Sequence, residues 1–287
     1  MIYSETLFKY DKNVKNAFEK LQKMAEQNQR NKNDILLICI NGWRNIQLED
    51  SLRAKKLSPF MIGSGVFGHC YFSIYDFYDA YRRNVRSKSE ITDEERDSEE
   101  FKRNEKLSID LELMIYLKFW ESDIILSKLL NLVNLALGKS YDWELLNGKI
   151  EHRRIIIKDY VQAPLKGICP ELYDLIEEVY SNQIRNAIAH SKYYHVGRNI
   201  ILGNKPDSKH YKLSNITYDE WEVRFHKVLL MFNHFINAQN EINERYIEKV
   251  RGKHFGLPIT IPEKDKLGLD KIFWIKYFEV RGRWDYK

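Results

Sequence analysis

From Lys106 to Leu137 apolar side chains return every three or four residues, Leu113, Leu117, Trp120 and Ile124 and then Leu126, Leu130, Val133 and Leu137. This is the 3.6-residue repeat of an α-helix, and no other segment of the chain is as apolar. Gly138 stands where a left-handed cap would end it. A second stripe of Trp221, Phe225, Val228, Phe232, Phe235, Ile242 and Tyr246 follows Thr217 and Glu220, which have capping-box spacing, with Ile216 and Trp221 placed to staple the start. The chain is therefore expected to be mainly α, a helical bundle.

The remaining segments fit that class. Asn13 to Gln29 reads as a charged surface helix on Val14, Phe18, Leu21 and Ala25, and a second helical run starts after Asn33-Asp34 and carries Ile35, Leu36, Ile38, Cys39, Trp43 and Ile46 towards Leu52. Pro59 breaks the chain. Gly63, Gly65 and Gly68 make a formal Gly-x-Gly-x-x-Gly, but such a loop cradles phosphate only between a strand and a helix with an acid about 20 residues on. That context is missing, so the glycines read as an entry into the next helix, and His69 and Cys70 lack the partners of a metal site. Phe72 to Val85 is an aromatic stripe ending in arginines, read as packing in preference to RNA stacking. Ser87 to Asn104 is almost wholly polar and marks the best boundary, as a solvated helix or linker. Arg153 to Ile157 is either helix or short strand. Pro170 fits a first helical position, with Leu172, Leu175, Ile176, Val179, Ile184 and Ile188 as the apolar side. Tyr193 to Leu213 is a loop with room for a small hairpin. Pro258 and Pro262 bracket an extended segment, and an apolar and basic tail from Lys271 to Trp284 could add a strand, cover a dimer or contact RNA, with docking on the core as the default. The linear partition is 1–104, 105–251 and 252–287.

Composition narrows function little. Lys+Arg at 46 against Asp+Glu at 41 gives a net +5, which favours a polyanionic partner only if it is concentrated locally. Cys39, Cys70 and Cys169 are widely spaced and odd in number, which argues for a reducing cytoplasm and against zinc. The first residues lack a basic region followed by an apolar run, and Ile35 to Ile40 falls far short of the ~20 residues a bilayer needs, so neither a secretory signal nor a membrane partner is expected.

The chemistry is concentrated in Ile184-Arg185-Asn186-Ala187-Ile188-Ala189-His190-Ser191-Lys192-Tyr193-Tyr194. Arginine offers a permanently charged fork to a phosphate, histidine exchanges protons near neutrality, and an amide beside them can orient either. On one helix Asn186 and His190 share a face while Arg185 points about 100° away from Asn186. Either the helix loosens after Ala189 or a second copy completes the site. The bland alternative is a polar helix end, with Arg185 in a surface ion pair and His190 beside the terminal carbonyls.

The order Arg185-Asn186-x-x-x-His190, at the end of a helical run, resembles the motif of HEPN domains, and the helix pattern extends the resemblance from about Lys106 to Val250. The resemblance implies an all-helical, metal-independent endoribonuclease without a cofactor, with Arg185, Asn186 and His190 catalytic. It also implies frequent homodimers with two motifs facing each other, and a toxin or antiviral setting with an antitoxin or regulatory partner. Other members have lost catalysis and only bind. An acid on an earlier helix often sits near the motif, so Glu121 or Asp123 is expected to reach Arg185 unless both face water. Lys192, Tyr193 and Tyr194 complete the stretch as supporting candidates.

Overall fold

The computed structural model describes residues 2–44, 60–63, 85–145, 153–204, 213–262 and 270–287. The glycine pattern beyond Gly63, His69, Cys70, the aromatic stripe up to Asn84 and the expected helix towards Leu52 lie outside the described residues.

In chain order the elements begin with β1 (Ile2–Tyr3), α1 (Ser4–Asn28), α2 (Asp34–Cys39), β2 (Trp43–Arg44), β3 (Phe60–Met61) and β4 (Val85–Arg86). They continue with α3 (Asp93–Asp97), α4 (Glu99–Glu121), α5 (Asp123–Ala136), α6 (Arg153–Ile155), a π-helical stretch Ile156–Gln162, α7 (Ala163–Ile168), α8 (Pro170–Val179) and α9 (Asn182–Ala189). β5 (Tyr193–Val196), β6 (Asn199–Leu202), β7 (Asn215–Thr217), α10 (Tyr218–Val250), β8 (Leu257–Pro262), β9 (Asp270–Phe278) and β10 (Arg283–Tyr286) complete the chain. The fold is mainly α with several small sheets, and among the described residues no helix is long and apolar enough to cross a membrane.

Local chemistry explains most boundaries. Glu220 N donates to Thr217 Oγ1 at 3.2 Å while Thr217 N donates to Glu220 Oε2 at 2.8 Å, the reciprocal capping box expected at the start of α10. Pro170 opens α8, and Gly138, at φ 74, follows α5 with Lys139 N donating back to Asn134 O at 2.9 Å. The stretch left open at Arg153 to Ile157 is helical. Other expectations are corrected. Helix α1 starts at Ser4, nine residues before Asn13. Helix α2 stops at Cys39, because Asn41 adopts φ 54 and Gly42 lies against the Trp143 ring. Of the two readings open for the polar stretch 87–104, helix holds over much of it: Ser98 accepts from Phe101 N at 3.1 Å and so caps α4, which runs uninterrupted through 104. Lys106 to Leu137 is two helices, broken where Ser122 turns to φ −75, ψ 109.

Two compact units are each assembled from three segments of the chain. The first takes Met1–Ala17, Phe72–Ser122 and Pro170–His234. Its core is aromatic: Tyr116 meets Trp221 at 5.5 Å between centroids, Trp120 meets Tyr180 at 4.9 Å, and Phe119 meets Phe232 at 5.3 Å. Edge-to-face pairs of this kind add about 0.5–1.5 kcal/mol each beyond their burial. Glu112 and His226 are buried polar groups that find partners. Glu112 accepts from Trp221 Nε1 at 2.9 Å, and His226 accepts from Tyr3 N at 2.8 Å while its Nδ1 faces Glu222 O at 2.7 Å. Burial pushes the His226 pKa down to about 4, so the ring is held neutral.

The second unit takes Phe18–Tyr71, Asp123–Cys169 and Phe235–Lys287. Helix α5 is buried almost all round, including Lys128, whose Nζ donates to Gln239 Oε1 at 2.7 Å. Burial pushes this lysine down to about 8. The tail forms an antiparallel sheet in the order β10-β9-β8, adding strands rather than a helix. Gly256 leads into it because a Cβ there would collide with the Ile275 carbonyl.

Candidate active site

Arg185 and Asn186 ride on α9, a short helix set off from α8 by a break at Tyr180 and Ser181. The pattern from Pro170 to Ile188 predicts one helix, so the break is a tertiary effect. Its agent is Tyr116 on α4, fully buried, whose hydroxyl donates to Val179 O at 3.0 Å and accepts from Ser181 N at 2.9 Å. One phenol thus satisfies two backbone groups freed where the helices part. Ser181 then caps α9 by accepting from Ile184 N at 3.3 Å. Farther along, Gln183 accepts from Leu213 N at 2.9 Å and its carbonyl accepts from Asn204 Nδ2 at 2.8 Å, fastening α9 to the chain around β7.

The arginine is held on two sides. Arg185 Nη2 donates to Asn186 Oδ1 at 2.9 Å, and Nε lies 3.1 Å from Glu121 Oε1 as an ion pair rather than an aligned hydrogen bond. The Arg185 side chain is 19% exposed. Of the two acids foreseen, Glu121 reaches Arg185. Asp123 instead pairs with Arg153 at 2.8 Å.

His190 closes the helix as its C-cap. Its N donates to Asn186 O at 3.1 Å, Ser191 N donates to Ile188 O at 3.1 Å, and Lys192 N donates to Ala187 O at 2.7 Å, with Ser191 at φ 51. This is a Schellman turn, with serine where glycine usually stands. The helix therefore loosens after Ala189, the first of the two options open from the spacing. The His190 side chain is exposed and makes no hydrogen bond or ion pair among the described residues, so within one chain Arg185, Asn186 and Glu121 touch and His190 stands apart. Because left-handed backbone strains serine, Ser191→Gly is expected to raise stability by about 1 kcal/mol. A urea midpoint that falls in this variant would contradict that account.

Beyond the turn, Lys192 is exposed and its carbonyl accepts from Gly203 N at 2.7 Å, and Tyr194 is exposed. Tyr193 donates to Asp110 Oδ1 at 3.2 Å. The hairpin foreseen after the motif is present, β5 and β6 turning at Gly197, with β7 as a third strand. Sequence reasoning missed His195. Its Nε2 lies 3.0 Å from Asp110 Oδ1 and its Nδ1 2.7 Å from the Tyr218 hydroxyl. The Tyr218 hydroxyl is pushed up to about 12 by burial and by the Glu105 and Asp110 carboxylates. Alternation along β5 turns Tyr193 and His195 to one face, but only the fold brings Asp110 to meet them. Helix α4 thus anchors both sides of the motif, Arg185 through Glu121 and the following strand through Asp110.

No match was found among protein-family models, curated proteins or solved structures.

Proposed function

We propose that the chain is a metal-independent endoribonuclease that cuts single-stranded RNA. The observation that carries this reading is an arginine held by Asn186 and Glu121 five residues before an exposed histidine that makes no hydrogen bond or ion pair among the described residues. In this mechanism the 2′-hydroxyl oxygen attacks the neighbouring phosphorus as its proton passes to His190. Negative charge gathers on the phosphorane and is met by Arg185. The P–O5′ bond then breaks, and His190 returns the proton to the departing 5′-oxygen. Asn186 and Glu121 orient Arg185. The resemblance to HEPN domains supplies the setting, a toxin or antiviral effector under control of an antitoxin or regulatory protein.

A homodimer belongs to the same reading. Helix α4 offers it a surface: Leu107, Leu111 and Met114, at i, i+4 and i+7, are each about half exposed. Light scattering is expected to show a dimer that Leu111→Glu converts to monomer, and a wild-type monomer at assay concentrations would remove the second copy from the mechanism.

One observation favours the other reading, a catalytically inactive RNA-binding or protein-interaction module: Arg185 Nε is already paired with Glu121 and Nη2 with Asn186, and His190 makes no hydrogen bond or ion pair with Arg185. Incubating labelled RNA with the purified protein and with Arg185→Ala/His190→Ala decides between them. Cleavage by the wild type alone supports the enzyme, and no cleavage by either supports the module.

A further inference from the structure

The β8–β9–β10 sheet buries one face and leaves the other open. Ile259, Ile261, Ile275 and Trp284 point inward and are buried. Alternation along β9 sends Ile272, Trp274, Lys276 and Phe278 outward, side chains on one face recurring about every 6.8 Å. Trp274 is 48% exposed and Ile272 66%. Tryptophan is costly to leave in water unless something covers it.

Charge indicates what does. Register places Arg283 opposite Phe278 and Asp285 opposite Lys276, and Lys287 N, just past β10, donates to Trp274 O at 3.0 Å, so β10 and the residue after it line the same face with two cations and one acid. That acid is shared, Arg283 lying 3.1 Å and Arg281 3.9 Å from Asp285 Oδ2. Arg281 also stands over the Phe278 ring, 5.7 Å from its centroid. Beside the strand lies a cleft of about 350 Å³ lined by Lys253, His254, Lys276 and Arg281, with Glu279 as its acid. Aromatic rings interleaved with cations, next to a basic groove, combine base stacking with phosphate neutralisation.

We propose that this face is a binding platform for single-stranded RNA, with bases stacked on Trp274 and Phe278 and phosphates led through the cleft between Lys253 and Arg281. The choice of RNA rests on the ribonuclease reading above; the platform itself would take any unpaired strand.

The test uses the full chain carrying Arg185→Ala/His190→Ala, so that bound RNA is not consumed, and measures anisotropy of a labelled 12-nucleotide single strand. Adding Trp274→Ala should weaken binding about tenfold or more with an unchanged thermal melt, while Trp274→Phe should stay within a few-fold of the parent. Lys276→Gln should lower the slope of log Kd against log salt by about 0.7. Equal binding of single-stranded DNA would support a platform that reads bases and phosphates without the sugar. Parental affinity in Trp274→Ala, equal affinity for a duplex, or displacement of the RNA by anionic phospholipid vesicles would overturn it. The two readings fail separately. RNA held through Trp274 but never cut by the wild type removes only the enzyme, and RNA cut by the wild type but bound without regard to Trp274 removes only the platform.

Discussion

A single 2′-deoxy substitution at the cut site is expected to abolish cleavage of an otherwise identical RNA while leaving it bound. The reason lies in the kind of groups the motif supplies. Arg185 and His190 can stabilise charge and move a proton, and the nearest nucleophile for such a pair is the 2′-hydroxyl already beside the phosphorus. In-line attack requires the sugar and phosphate to leave helical geometry, so unpaired loops should be cut and duplexes spared. The products should carry a 2′,3′-cyclic phosphate, and EDTA should not slow their formation. His190→Gln should lose about 10²- to 10⁴-fold in kcat, the range of general acid–base catalysis, without loss of stability, since the exposed imidazole makes no hydrogen bond or ion pair among the described residues. Mass spectrometry of the products decides the matter. A 5′-phosphate with a 3′-hydroxyl, or cutting of the deoxy strand at the same position, would mean that water attacks and that this mechanism is wrong.

Replacing Asp34 with Asn is expected to stabilise the protein at pH 8 and to change it little at pH 4. Asp34 is 1% exposed, and its Oδ2 accepts from Asn31 Nδ2 at 3.2 Å. Burial pushes the carboxyl up from 3.8 to about 7, with the Asp270 carboxylate adding to the effect and Asn31 opposing it. The folded state therefore keeps a proton that the unfolded state releases between those two values. Unfolding free energy falls as pH rises through that window and levels off above it. At 1.36 kcal/mol per unit the full effect is on the order of 4 kcal/mol, and asparagine, neutral at every pH, removes it. Urea unfolding at pH 4, 6 and 8 measures the difference. A variant whose stability parallels the wild type at all three values would show that Asp34 is ionised in the folded protein.

Much of the chain's local structure was legible in its residues, because the signals concerned are short-range. Thr217 and Glu220 satisfy each other's backbone within one turn, Pro170 lacks only an N–H that a first turn does not use, and Gly138 accepts a left-handed backbone at no cost. The stripe from Trp221 to Phe235 is buried as its spacing predicts.

What the tertiary structure decided depends on partners distant in sequence. A continuous apolar period from Pro170 to Ile188 contains no break, yet α8 and α9 part because Tyr116, more than 60 residues earlier, supplies the hydroxyl that Val179 and Ser181 need. The same holds for Glu121 and Asp123, two acids adjacent to one serine: which of them reaches Arg185 is fixed by the turn at Ser122, and periodicity carries no information about it. His195 gives no motif at all, and becomes a half-buried link between Asp110 and Tyr218 only once β5 lies along α4. Sequence by itself determined where α8 and α10 begin and which residues line the apolar faces of the helices, since backbone hydrogen bonds and side-chain period are local. Which of those residues meet was decided by the tertiary structure, since desolvated polar groups must find whichever partner the fold brings within 3 Å.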